Sequence, residues 1–317
     1  MDTFDILSVG RLAGDLYATQ VGVPLSAVKQ FNLYVGGCPA NVAVGARRLG
    51  LRTAMLSRVG NDGIAENLLS FMRQEGINTE SVTCDPNHLT GLAFLSILPP
   101  ETFPLVYYRP DPADLQLSLE DVRRAPIAES RVLFVAGTNF NADPSRTSVL
   151  WGMEQARAAN RKVVLDIDLR KSLWPELEAF GVNLRTAARL SDIVIGTEEE
   201  IVTAAGIPDV KHATDLLLAL GVEAVAVKRG SAGAEVYTAD GAIHTAKPFQ
   251  VEVLNVLGAG DAWASGFLYA YLNGWDWERC VRFGNATGAI IVTRHACAND
   301  MPTLAEVQAF MSSQGAN

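Results

Sequence analysis

The apolar residues of this chain fall in short blocks rather than long stretches. Residues 5–9 (Asp-Ile-Leu-Ser-Val), closed by Gly10, predict a buried first strand. Residues 12–35 differ: scattered aromatic and polar residues with Gly14, Gly22 and Pro24 show no helical period, and predict short strands outside the main core. Residues 40–49 predict a helix, with Pro39 near its start and Gly50 at its end. A strand over 53–59 and an amphipathic helix over 63–75, ended by Gly76, follow. Residues 92–98 and 105–108 read as a strand hairpin around a turn at Pro99-Pro100.

From Arg131 onward the alternation becomes regular. Strands are predicted at 132–135, 163–167, 193–195 and 224–227, with helices between them that include 145–159 and 212–220. Helices over 262–272 and 278–293 close the chain. Alternating strands and helices imply a mostly parallel central sheet covered on both faces, an α/β sandwich of three layers. The two strand-rich pieces, 12–37 and 88–112, are expected to pair into a small β-sheet lid. The core then comprises 1–11, 38–87 and 113–317. Ligands of such sheets sit at the carboxyl ends of the strands, where a lid would shield them from water.

Composition narrows the class. With 49% apolar and 19% charged residues the chain reads as globular. A net charge of −9 argues against a nucleic-acid surface, which needs a basic face. The start Met1-Asp2-Thr3-Phe4-Asp5 lacks the basic and apolar regions of a secretory signal, and no apolar run is long enough to span a bilayer. Cys38, Cys84, Cys280 and Cys297 form no metal-ligand spacing and read as reduced thiols. A cytoplasmic protein is expected.

Chemistry concentrates in two stretches. Residues 251–261 (Val-Glu-Val-Leu-Asn-Val-Leu-Gly-Ala-Gly-Asp) read as a strand, a tight glycine loop and a helix N-terminus. Backbone N–H groups at such a terminus hold a phosphate or a developing anion. Asp261 beside that anion suits a base that takes a proton from an attacking hydroxyl. The alternative is a capped helix, since Asp is a good N-cap. The loop is neither a Walker A motif nor a dinucleotide fingerprint. The second stretch, Gly36-Gly37-Cys38-Pro39-Ala40-Asn41, lets backbone approach a ligand closely and offers an amide to sugar hydroxyls. Its alternative is a strand-to-helix turn with Asn41 as a local cap.

Both stretches, in this order, resemble the ribokinase (PfkB) family of carbohydrate kinases, over about residues 5–310. Residues 34–41, 165–170, 196–200 and 253–261, with Arg294-His295-Ala296-Cys297, are similar to the branch of that family that acts on a deoxy keto sugar acid. The resemblance implies a ribokinase-like fold that phosphorylates a sugar or sugar-acid hydroxyl with ATP and Mg²⁺. It implies Asp15, Gly36, Gly37 and Asn41 at the sugar, Asp261 as base, and the amides of Gly258, Ala259 and Gly260 as the anion hole. Thr197, Glu200, Lys228, Gly230, Gly233 and Asn285 would serve the nucleotide, with Arg170 near the phosphates. Glu200 and Asp166 would hold Mg²⁺ through water. Thr197 departs from the family's usual Asn. Asn255 stands where many members carry an Asp beside a K⁺ ion, so K⁺ dependence is a weaker implication.

Substrate choice is expected to rest on the lid and first loop. Arg109 could pair bidentately with a sugar carboxylate; its alternative is a surface salt bridge to Asp111 or Asp114. Asp111 would oppose an anionic sugar, and Leu12 departs from the sugar-acid branch. A neutral ketose such as fructose, another keto-deoxy acid such as 2-keto-3-deoxygluconate, or a charged ketose derivative is the second choice. A non-catalytic sugar or nucleotide sensor ranks last, because Asp261 and its glycine loop are present. The expected partners are the sugar and ATP, with neither nucleic acid nor membrane. An open lid edge also invites a homodimer.

Overall fold

The computed structural model describes residues 3–98 and 103–315. Its strands are β1 (Phe4–Val9), β2 (Ala13–Ala18), β3 (Phe31–Gly36), β4 (Thr53–Gly60), β5 (Val82–Asp85), β6 (Leu92–Leu95), β7 (Leu105–Tyr108), β8 (Ser130–Ala136), β9 (Lys162–Asp166), β10 (Ile193–Thr197), β11 (Ala224–Lys228), β12 (Ala234–Thr238) and β13 (Ile243–Ala246). Its helices are α1 (Cys38–Arg48), α2 (Gly63–Gln74), α3 (Leu119–Arg124), α4 (Ser145–Ala158), α5 (Leu177–Ala188), α6 (Glu198–Ala205), α7 (Val210–Ala219), α8 (Ala259–Leu272), α9 (Trp277–Ile291) and α10 (Leu304–Ser313).

The large sheet has the order β13-β12-β11-β10-β9-β8-β1-β4-β5. It is parallel from β11 to β5, with β12 and β13 antiparallel at one edge. Strand residues alternate between two apolar layers, as the pleat requires. Leu7, Leu133, Leu165, Val194 and Val225 pack with α4–α7, whereas Ile6, Phe134, Val164, Ile195 and Ala226 pack with α1, α8 and α9. Each of the larger of these side chains, fully buried, contributes about 1.5–3 kcal/mol, and Ala226 less. The three-layer α/β architecture expected from the alternation is therefore present.

A second sheet has the order β3-β2-β6-β7. β2 pairs antiparallel with β3 and parallel with β6, and β6 pairs antiparallel with β7. The predicted hairpin thus exists, although β6 ends at Leu95 and the Pro99-Pro100 turn lies outside the described residues. This sheet is less separate than its sequence suggests. Leu12, Tyr17, Val35 and Leu95 are buried in one cluster with α1 and α2 residues.

Two local readings are corrected. Residues 251–257 form no strand. The N–H groups of Leu254 and Asn255 both donate to the Val292 carbonyl, so the segment is pinned to the end of α9 instead of pairing in a sheet. Its Val251, Val253 and Val256 line a cavity, so their apolar character serves a cavity wall instead of a strand face. In addition α8 starts three residues earlier than predicted, at Ala259, with Gly258 as N-cap at φ 83°. Asp261 is therefore inside the first turn and does not cap it.

Candidate active site

The carboxyl ends of the parallel strands converge on one edge. β1 leads to Arg11, β9 to Asp166 and Asp168, β10 to Thr197, and β11 ends in Lys228. This is where open α/β sheets bind ligands.

Two cavities meet there at the loop 258–261. Gly258 and Asp261 line the first, with Asp15, Asn41, Arg11 and Arg170. Ala259 and Gly260 line the second, with Lys228, Gly230, Gly233 and Asn285. The second has a volume of about 250 Å³ and apolar walls from Val251, Val253, Val256 and Trp263. One loop thus separates a polar, charged chamber from an apolar one.

Asp261 is fixed from α1. Asn41 Nδ2 donates to its Oδ2 at 2.7 Å, and the Cys297 thiol reaches the same oxygen at 3.9 Å. Burial raises the Asp261 carboxyl, the charge of Asp168 adds to the rise, and the Asn41 hydrogen bond opposes it. A carboxylate moved toward neutrality in this way is better matched to proton abstraction. Burial also keeps the Cys297 thiol protonated, so it donates.

Asp15, on β2, faces the same chamber. Burial pushes its carboxyl up to about 6, against the opposing charges of Arg11 and Arg170. Among the described residues, its Oδ1 and the Oδ1 of Asn41 are buried with no protein partner. Two unpaired acceptors in one chamber are costly unless a ligand supplies donors, and sugar hydroxyls do so. The paired glycines make room. A Cβ on Gly36 would lie 2.0 Å from Asp15 Cγ, and Gly37, at φ 104°, would place one 2.3 Å from the Arg11 carbonyl oxygen.

The loop expected to hold an anion differs in one respect from that expectation. The Ala259 N–H donates to the Val256 carbonyl at 3.2 Å, so it is already engaged. The first-turn N–H groups of Gly260 and Asp261 have no carbonyl one helical turn back to accept them. A Cβ on Gly260 would lie 3.0 Å from Lys228 Nζ, so the ammonium sits beside that amide. Lys228 is paired with Asp166 at 3.1 Å. Burial favours its neutral form, but Asp166, Glu200 and Asp261 outweigh that and keep it cationic.

Several expected residues sit elsewhere or are already occupied. Thr197 and Glu200 close a capping box on α6, and Glu200 Oε1 also accepts from the Leu169 N–H at 2.9 Å. Neither lines the apolar cavity. Asn285 lines it, but its amide accepts from Trp263 Nε1 and donates to the Ala246 carbonyl. Arg170 faces the polar chamber, paired with Asp168 at 2.7 Å. Arg109 does not line that chamber. It forms a short ion pair with Asp114, buried rather than at the surface, at 3% and 4% exposure. Asp111 is 75% exposed and accepts from Gln116, and Leu12 is core. Neither lines the chamber.

Arg11, Tyr17, Cys38, Tyr107 and Cys297 line the polar chamber without having been singled out as ligands. Arg11 carried the one available signal: an arginine directly after a buried strand, at the ligand-binding edge.

A buried carboxylate in the first turn of a helix, between a polar chamber and an apolar one, fits a sugar kinase. The pfkB family carbohydrate kinase profile matches residues 3–304. The chain belongs to that family and is a carbohydrate kinase. It is 35% identical over 314 residues to the 5-dehydro-2-deoxygluconokinase of Bacillus licheniformis, covering 98% of this chain and 97% of that one. A crystal structure of a PfkB protein from Polaromonas sp. JS666 superposes with TM-score 0.84 at 29% identity, covering 97% of this chain and 100% of that chain. The fructokinase of Xylella fastidiosa with bound ATP gives TM-score 0.87 at 26% identity, covering 98% of each chain.

Proposed function

We propose that the protein transfers the γ-phosphoryl group of ATP to a hydroxyl of 5-dehydro-2-deoxygluconate, with Asp261 as the base. The observation that carries this is the position of Asp261 at the junction of the two chambers, with Asn41 holding one of its oxygens. The relatives named 5-dehydro-2-deoxygluconokinase supply the substrate.

The residues fit ATP. The apolar cavity suits a base and ribose, and the Gly260 and Asp261 amides with Lys228 suit the phosphates. Asp166 and Glu200 fit Mg²⁺ held through water, since that ion keeps several waters and needs only one or two carboxylates. Bound there, Mg²⁺ would neutralise charge on the phosphates. Asp15 and Asn41 orient the sugar, and Asp261 takes the proton of the attacking hydroxyl. The loop amides and Lys228 then receive the charge that develops on the transferred group. The smaller sheet acts as lid, because β2, β6 and β7 contribute Asp15, Leu95 and Tyr107 to the chamber.

The K⁺ reading is weakened. Asn255 Oδ1 accepts from the Leu257 N–H and Nδ2 donates to the His295 carbonyl, so this side chain bridges the two segments itself. Four free thiols and the use of ATP fit the cytoplasm.

A second reading, a neutral ketose as acceptor, draws on the likeness to fructokinase. ADP formation with 5-dehydro-2-deoxygluconate, 2-keto-3-deoxygluconate and fructose decides between them. The first substrate is expected to lead in kcat/KM by about 100-fold or more. A lead for fructose would overturn the sugar-acid reading and leave the kinase intact.

A further inference from the structure

Arg11 is 5% exposed and lines the polar chamber. Among the described residues its Nε and Nη1 have no hydrogen-bond partner. Its Cζ lies 5.5 Å from the centroid of Tyr107, a β7 residue that also lines the chamber. Its backbone is fixed by the close approach of Gly37. The side chain is therefore positioned and covered, with the charges of Asp15 and Asp168 near it but two of its three nitrogens unbonded.

A guanidinium is charged at every relevant pH and can only donate. Buried nitrogens that donate to nothing are expensive, and donors kept so in a ligand chamber fit a ligand. The other arginines nearby hold direct ion pairs, Arg170 with Asp168 and Arg109 with Asp114, and among the described residues leave only the buried Nε of each unbonded. Asp15 and Asp261 accept from hydroxyls and so serve any sugar. What Arg11 requires is different, namely paired acceptor oxygens with negative charge. A carboxylate meets that need with two oxygens matched to the guanidinium fork. Hydroxyls of a neutral ketose offer only weak acceptors.

We propose that Arg11 binds the carboxylate of the substrate and sets the preference for a sugar acid over a neutral ketose. The inference rests on the sugar-acid reading above, and assigns its recognition to a residue of the first loop. Arg109, two strands away, does not take that part.

Arg11→Gln and Arg11→Lys test it, each assayed with ATP and Mg²⁺ against 5-dehydro-2-deoxygluconate and against its neutral counterpart with the carboxylate reduced to an alcohol. Arg11→Gln is expected to lose about 100-fold in kcat/KM on the acid, mostly through KM, and less than about threefold on the neutral compound. Arg11→Lys keeps the charge but not the fork, and is expected to lose about tenfold on the acid alone. ATP affinity stays at the wild-type value in both. Equal losses on both substrates would make Arg11 a structural residue and overturn the inference. Should Arg11→Gln not fold, the lysine variant decides by the same ratio. Wild-type protein that prefers the neutral compound would instead remove the sugar-acid reading, an outcome visible before any variant is made.

Discussion

Asp15 shows how burial turns an ordinary side chain into a sensor of its ligand. Its carboxyl, pushed up to about 6, is half protonated near that pH in the sugar-free protein. Sugar hydroxyls donate to the ionised form, so binding favours loss of the proton. As pH falls through 6 the competent form declines, and sugar affinity is expected to weaken about tenfold per pH unit below it. Asp261 is raised as well and faces the same chamber, together with the permanently charged Arg11 and Arg170. Calorimetric titration of the sugar from pH 7.5 to 5, in wild type and Asp15→Asn, isolates the contribution of Asp15. The variant should bind weakly and lose most of the slope. A wild-type affinity constant across that range would refute the role.

At the scale of elements, the site depends on how closely α1 and α8 approach. Asn41 and Asp261 sit on these two helices and meet at 2.7 Å. One turn further on, Gly45 lets the helices touch: a Cβ there would lie 2.3 Å from Ser265 Oγ and 2.8 Å from Ser265 Cβ. Gly45→Ala sets two effects against each other. Helix propensity alone would stabilise by about 1 kcal/mol, whereas overpacking costs about 1–3 kcal/mol. The overpacking should win, because the contact is with the first atoms of a side chain fully buried against α1. A lower melting temperature and at least about a tenfold loss of turnover are expected, since a 1 Å misplacement of catalytic groups is costly. A raised melting temperature with unchanged turnover would show that the helix contact is slack.

Elements were legible in the sequence where period and punctuation agreed. The run 132–135 became β8, and the amphipathic 63–75 became α2, because a continuous apolar run or the 3.6 period coincided with Gly stops. The valines of 251–256 misled because a cavity wall selects apolar residues as a strand face does. Of the residues singled out from the sequence motifs, Asp261, Asn41, Asp15 and Lys228 line the two chambers. Arg109 and Arg11 could not be sorted from sequence. Both are arginines beside apolar strands, and only tertiary pairing with Asp114 removes one of them from the chamber.

The whole molecule divides its labour by layer. The carboxyl ends of the parallel sheet converge on one edge, the helices α1 and α8 join across it, and the smaller sheet lines the polar chamber. Its net charge of −9 is compatible with anionic ligands because positive charge is focused at the two chambers, on Lys228, Arg11 and Arg170. The central claim is that Asp261 removes the proton from the attacking hydroxyl. Turnover and sugar affinity of Asp261→Asn, measured side by side, test it most directly. The substitution keeps the shape and the contact with Asn41 but removes the proton acceptor. A fall in kcat of at least about 100-fold, with the sugar dissociation constant within about threefold of wild type, is the predicted result. Turnover close to wild type would contradict it, and would move the base elsewhere in the chamber.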